Sequence, residues 1–427
     1  MTHTSSLAKL VQPNLVQRSL ILFFVAFLLI FPKGGVKVGG IPLTWGYLGL
    51  AGLLTLLPLM LLAKEGTRVR TVRLLVLFFL LPFQLVVWGS FLVHGIEGIG
   101  FATSVVVTFF AVPLALVWVA GVWLDRLDLA LLFEGVRLGV FAVAVYGLFL
   151  FGYKLFTGDF IEVPLLTVNL GDLGELEEKN IDRGGIFKLI STYNNGNIFG
   201  ICLLMLLPLY AWLEKSTWKL GVVKLSLLFT LSRTVWAGLI AYELIQRLYV
   251  RGASLKSVAT LITYLALMVG GVWWALSLMD QDIGFVFDAA LGGRMQQFEQ
   301  EFTFLPAQPF EHIAEIVYLS MLANFGVVGL VSFLVGMSGP LILYWIGALP
   351  FRGSAYKRGL VAGLVVYLIV ALSDGAILFI PVMAFYWFLV SLLLSDNPQF
   401  ARIDPPAEEE SVQTPEPTLL QLIAAKS

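Results

Sequence analysis

A chain of 427 residues that is 59% hydrophobic and only 13% charged departs from water-soluble domains, which run closer to half apolar and a quarter charged. Apolar runs of about 20 residues, the length that crosses a bilayer, recur from end to end, so the chain reads as a polytopic, all-α membrane protein. The net charge of −1 names no partner by itself, but the basic residues sit in short loops between apolar runs, which is a topology signal and excludes a nucleic-acid surface.

In chain order, the apolar runs predict about twelve spans, near 19–32, 43–63, 73–93, 101–121, 129–153, 197–213, 218–231, 235–250, 258–279, 313–346, 359–373 and 376–394. The first and seventh are short, and the tenth is long enough to protrude or bend. No small-residue cleavage site follows the first run, so it reads as a retained span. Alternate loops carry Lys64, Arg68, Arg70 and Arg73, then Arg126, then Lys215 and Lys219, then Arg247, Arg251 and Lys256, then Arg352, Lys357 and Arg358. The positive-inside rule makes these loops and both termini cytoplasmic, and the two longest loops, about 154–194 and 280–312, external. Residues 1–395 thus form one membrane domain. The tail 396–427, with "DPPAEEESVQTPEPT", has the composition of a disordered cytoplasmic segment.

Within this plan "LSRTVWAGL", residues 231–239, puts Arg233 at the outer mouth between the seventh and eighth spans. An interfacial arginine that snorkels to water is one reading. The neighbours favour another. Asn194, Asn195 and Asn197 open the sixth span from outside, Thr234 opens the eighth, and His312 and Glu315 open the tenth. Helix N-termini present N–H groups and a positive dipole end, and with a guanidinium they suit a phosphate. Arg183 and Arg294, on the two outer loops, would add charge. Arg233, Arg294, Asn197 and Glu315 are therefore expected to line one outward cavity, with Arg183 at its rim. Glu315 also reads as a helix-N-terminal acid favoured by the dipole, His312 as a surface loop residue, His94 as interfacial, and Asp374 as a cap or turn between the last two spans. His3, His94 and His312 are scattered, and no metal-ligand spacing is present. "GGVKVGG", residues 34–40, leads into no strand and is not a nucleotide-binding loop.

Four segments in order resemble the O-antigen ligase/polymerase superfamily of integral-membrane glycosyltransferases. They are "RGGIFKLISTYNNGNIFGICLLMLLPL", "LSRTVWAGL", "GGRMQQFEQEF" and "EIVYLSMLANFGVVGLVSF", and they span roughly residues 183–340. The resemblance implies a GT-C-like helical bundle in the bacterial inner membrane and an oligosaccharide on undecaprenyl diphosphate as substrate. It implies neither metal nor cofactor, and it makes flippase and chain-length or export proteins the expected partners. It implies Glu315 as acceptor base with His312 as orienter or substitute. Arg233, Arg294 and Arg183 would lie on the diphosphate, and Asn194, Asn195, Asn197 and Tyr318 on the substrate. The ligase branch carries a histidine eleven residues before the first glycine of Gly-x-x-Gly. Here that glycine is Gly326 and the position holds Glu315, a departure that points to the polymerase branch, with the ligase as alternative. A lipid-linked-oligosaccharide transporter is the rival from another class. It would need charges deep in the spans, whereas Glu134, Arg137 and Glu243 lie toward the cytoplasmic end.

Overall fold

The structure, a computed structural model, describes residues 15–38, 41–58, 67–96, 98–174, 176, 182–183, 186–250, 259–260, 262–263, 266, 270, 297–298, 302–307, 313 and 315–400. The described residues are mainly helical. Helix α1 is Leu15–Phe24 and runs on through π-helical turns over Val25–Ile30. Next come α2, Trp45–Thr55, and α3, Thr67–His94. Helix α4, Ile99–Leu124, has π-helical stretches within it, and α5 is Leu129–Thr157. Helix α6 is Gly196–Leu213, α7 is Thr217–Leu228, and α8 is Arg233–Ile245 with a π-helical extension to Val250. Helices α9, Val317–Trp345, α10, Ala355–Val370, and α11, Ile380–Leu394, complete the bundle.

Among the described residues five helices are long and apolar enough to cross a membrane by length and composition, namely α3, α4, α5, α6 and α9. The protein is thus an all-α membrane protein. Helices also occupy the other predicted stretches except 258–279, which falls almost wholly outside the described residues, as does the tail beyond Phe400.

A span is apolar on every side because lipid is as apolar as the core. On α3, Phe78, Leu85 and Leu92 are exposed while Val76, Leu80 and Phe83 are buried. Lipid offers no hydrophobic drive for helices to associate, so contact depends on close approach and polar glue. Gly359 and Gly363, one turn apart on α10, face α6. A Cβ on Gly363 would lie 2.2 Å from the Met205 carbonyl oxygen. Phe83, Phe109, Phe325 and Phe333 form an edge-to-face cluster joining α3, α4 and α9.

At one end of the bundle Arg73, fully buried, donates to Asp125 over 2.6 Å. Asp125 also accepts from the Ser395 hydroxyl over 2.7 Å. Two further networks lie toward this end. Arg137 pairs with Glu134 and Glu214, and Glu243, 3% exposed, takes Lys224 and Arg247. These spanning-helix charges are held by one another.

The opposite end carries a small folded cap. Gly35–Val38 (β1) pairs antiparallel with Ile41–Thr44 (β2) and parallel with Asn169–Leu170 (β3). Lys37 and Asp172 form a 2.7 Å ion pair across the cap, and the Trp45 indole donates to the Leu165 carbonyl. This corrects the expectation that the glycine-rich stretch meets no strand. It holds strand β1, which pairs with β2, and its first glycines let backbones meet. A Cβ on Gly34 would lie 2.3 Å from the Leu165 oxygen.

Candidate functional site

Four chain segments converge at the end of the bundle that carries the cap. The first is the start of α6. Asn195 caps it, its side-chain oxygen accepting from the Asn197 and Ile198 amides at 2.8 and 3.2 Å. Asn194, just before, is buried in the left-handed region at φ 55° and donates to the Thr167 carbonyl over 2.6 Å. That bond ties α6 to the cap. Asn197, the second residue of the helix, points the other way and donates to Asp374 Oδ2 over 2.7 Å.

The second segment is the turn after α10. The Asp374 amide closes the helix on Val370, and Oδ1 of its side chain accepts from the Ala376 amide at 3.2 Å. Asp374 is therefore the cap expected from the sequence and, in addition, a buried carboxylate facing Asn197. The third segment precedes α9. The Glu315 carbonyl accepts from the Gly375 amide at 3.3 Å. Its side chain is exposed and lies ahead of the helix rather than within its first turn.

The fourth is the start of α8. Leu231 at φ 49° turns the chain, and Ser232 caps the helix that Arg233 begins. Arg233 is half-buried, and the next residue, Thr234, meets the Ser373 hydroxyl at 2.8 Å. The Thr234 side chain thus ties the start of α8 to the residue before Asp374.

A cavity of about 250 Å³ opens among these segments, lined by Asn195, Asn197, Glu315, Asp374, Phe379 and their apolar neighbours. Asn197 and Glu315 line it together, with Asn195, whereas Arg233 is not among its lining residues and the neighbouring Thr234 ties that helix start to Ser373. Tyr318 is not brought in. Its hydroxyl donates to the Leu368 carbonyl over 2.6 Å and its ring packs near Phe333, joining α9 to α10. Arg294 and His312 lie outside the described residues. Arg183 is described only as backbone, in the short strand Asp182–Arg183 (β4), which pairs with Ile186–Phe187 (β5).

Two features differ from the sequence reading. The α6 amides that were to receive a phosphate are already taken by Asn195, and the Ser232 hydroxyl takes the Val235 amide of α8. Any anion here must be held chiefly by side chains. One such side chain was missed. Lys33, just after the first helix, places Nζ 4.9 Å from the ring centroid of Phe379, a residue that lines the cavity. A lysine after an apolar run reads as an ordinary interfacial residue, so nothing local marked it. Among the described residues the charged groups that line the cavity are Glu315 and Asp374, with Lys33 and Arg233 on neighbouring segments. Among the described residues no group of three or more His, Cys, Asp or Glu is arranged to hold a metal ion.

No model of a known protein family and no curated protein matches the sequence.

Proposed function

We propose that the chain is a metal-independent membrane glycosyltransferase that joins undecaprenyl-diphosphate-linked oligosaccharide units at the periplasmic face, a polymerase of O-antigen or exopolysaccharide. In this reading it sits in a bacterial inner membrane with about twelve crossings, a GT-C-like bundle, both termini cytoplasmic, and works beside flippase and chain-length or export proteins. The observation that carries it is the meeting of Asn197, Asp374 and Glu315 at one cavity, with Thr234, the neighbour of Arg233, bonded to Ser373 next to it and Lys33 4.9 Å from the ring of Phe379, which lines it.

The chemistry follows from those groups. Glu315, exposed at the cavity, takes the proton from an acceptor sugar hydroxyl, with His312 as orienter or substitute. The freed oxygen attacks the anomeric carbon of the donor. The bond from that carbon to the diphosphate oxygen breaks, and the diphosphate leaves with the electron pair. Arg233 stabilises that charge through its planar fork, joined by Lys33 and by Arg294 and Arg183 from the outer loops. Asn195 and Asn197 border the space the sugars would fill, and Asn194 sets the α6 start that carries them. Tyr318 acts at one remove by holding α9 against α10.

The mutual pairing of Glu134, Arg137, Glu214, Glu243 and Lys224 supports an enzyme over a transporter, since a transport path would need such groups to serve a cargo. Reconstitution with a defined lipid-linked donor tests the reading. Chain growth supports the polymerase. Transfer to a different lipid acceptor makes it the ligase. Movement of donor across the bilayer with no new glycosidic bond refutes both.

A further inference from the structure

Helix α9 is broken. At Gly326 the backbone takes φ 66° and ψ −174°, a region open in practice only to glycine. The break frees the next amides, and a segment of the second outer loop fills it. Val327 N–H donates to the Thr303 carbonyl at 3.0 Å and Val328 N–H to the Phe304 carbonyl at 3.2 Å. A Cβ on Gly326 would stand 2.7 Å from the Phe304 oxygen, so the contact needs glycine on steric grounds as well.

The same segment satisfies its own backbone acceptors. The Thr303 hydroxyl donates to the Leu305 carbonyl at 2.7 Å, and His94 Nε2 lies 3.0 Å from the Pro306 carbonyl. Four successive carbonyls, from Thr303 to Pro306, therefore have protein partners, and Pro306 has no N–H to satisfy. Non-helical backbone at membrane depth is tolerated only where protein or water meets its polar groups, and here α3, α9 and the Thr303 hydroxyl meet these four carbonyls.

Depth agrees. From Val327 to Trp345 α9 rises about 28 Å, close to the thickness of the hydrocarbon layer. The break, and the segment lodged in it, thus sit at the outer edge of that layer, level with His94 at the end of α3. There the segment exposes Phe302, Phe304 (69%) and Leu305, beside Leu92 (86%) and Val93 of α3. In water such a patch would carry a cost proportional to the apolar surface left uncovered, whereas lipid covers it at no such cost. The patch continues the lipid-facing side of α3, where Phe78 and Leu85 are likewise exposed.

We propose that residues 302–307 form a membrane-inserted strap whose partner is the acyl-chain region of the outer leaflet, seated in the α9 break through Gly326. The second outer loop is thereby fastened into the bilayer a few residues before Glu315, whatever reaction the cavity performs.

The test uses the full-length protein in phosphatidylcholine–phosphatidylglycerol vesicles, with Cys202→Ser and a fluorophore on Leu305→Cys. The reference site is Asp159→Cys, exposed on the outer cap. The strap predicts that lipids brominated on their acyl chains quench the probe at 305 several-fold more than aqueous iodide does, with the order reversed at 159. Iodide quenching at 305 equal to that at 159 overturns the proposal, as does a probe at 305 that neither agent reaches, which would mean a protein partner covers it. Gly326→Ala should shift the probe at 305 toward iodide. Should that variant fail to fold, the quenching comparison in the otherwise native chain still decides.

Discussion

Replacing Asn197 by aspartate tests whether α6 and the turn after α10 meet as the site requires. Asn197 donates to Asp374 over 2.7 Å, and Asp374 is 5% exposed. An aspartate at 197 sets two carboxylates against each other. At a relaxed separation of about 4 Å and an effective dielectric of about 20, two unit charges repel by about 4 kcal/mol. The folded pair therefore holds one proton at pH values where the unfolded chain has released both. Over that interval the folded state binds more protons, so stability falls as pH rises. Asn197→Asp should unfold close to wild type near about pH 5 and well below it near about pH 8. Asn197→Ala removes one hydrogen bond to a charged group and should cost about 1.5–3 kcal/mol at both pH values. Thermal unfolding in detergent, followed by tryptophan fluorescence, measures this. A loss by Asn197→Asp that is the same at both pH values refutes the contact.

Gly363→Val, whose Cβ would meet the Met205 oxygen at 2.2 Å, should destabilise the α6–α10 contact by about 3 kcal/mol, read as a lowered Tm. Gly100→Ala, with nothing within 4 Å, should stay within about 0.5 kcal/mol of wild type or gain slightly. Arg73→Met strands Asp125 without its buried partner and should cost about 3–5 kcal/mol; adding Asp125→Leu should recover part of it in the same assay. Glu214 lies just past α6, where burial pushes its carboxyl up but the Ser216 amide, Lys219 and Arg137 outweigh that and hold it below the usual range. Its stabilisation is present above the ordinary carboxylate value of about 4.3 and is lost as pH falls through the lower folded value. Glu214→Gln should therefore flatten the acid limb of the pH–stability curve.

Composition and loop charge made the membrane class and the helical bundle readable, because a bilayer imposes one length and one polarity on every span. Local chemistry carried the helix starts. Asn195, Ser232 and Ser354 each cap the helix they precede, as small polar residues do. What escaped depends on contacts distant in sequence. Asn197 and Asp374 meet across 177 positions, so Asp374 showed its cap but not its partner. Lys33 joins the cavity because Phe379 comes to it, and Gly326 breaks a helix because Thr303 and Phe304 fill the gap. Tyr318 faces α10 rather than the cavity, a choice of helix face that an apolar all-round span does not reveal. The amides at the α6 start were readable as anion donors only while the side chain of Asn195 was left out of account.

The most direct test of the central claim is the initial rate of glycosidic-bond formation by reconstituted wild-type, Glu315→Gln and Arg233→Lys proteins of matched Tm on one lipid-linked donor. If the outer cavity is the reaction site, Glu315→Gln should bind donor yet elongate roughly 10²–10⁴-fold more slowly, as expected when a general base is removed. Arg233→Lys should lose at least as much, because it keeps the charge but not the fork on the leaving diphosphate. Wild-type rates from both variants would contradict the account and move the chemistry away from this cavity.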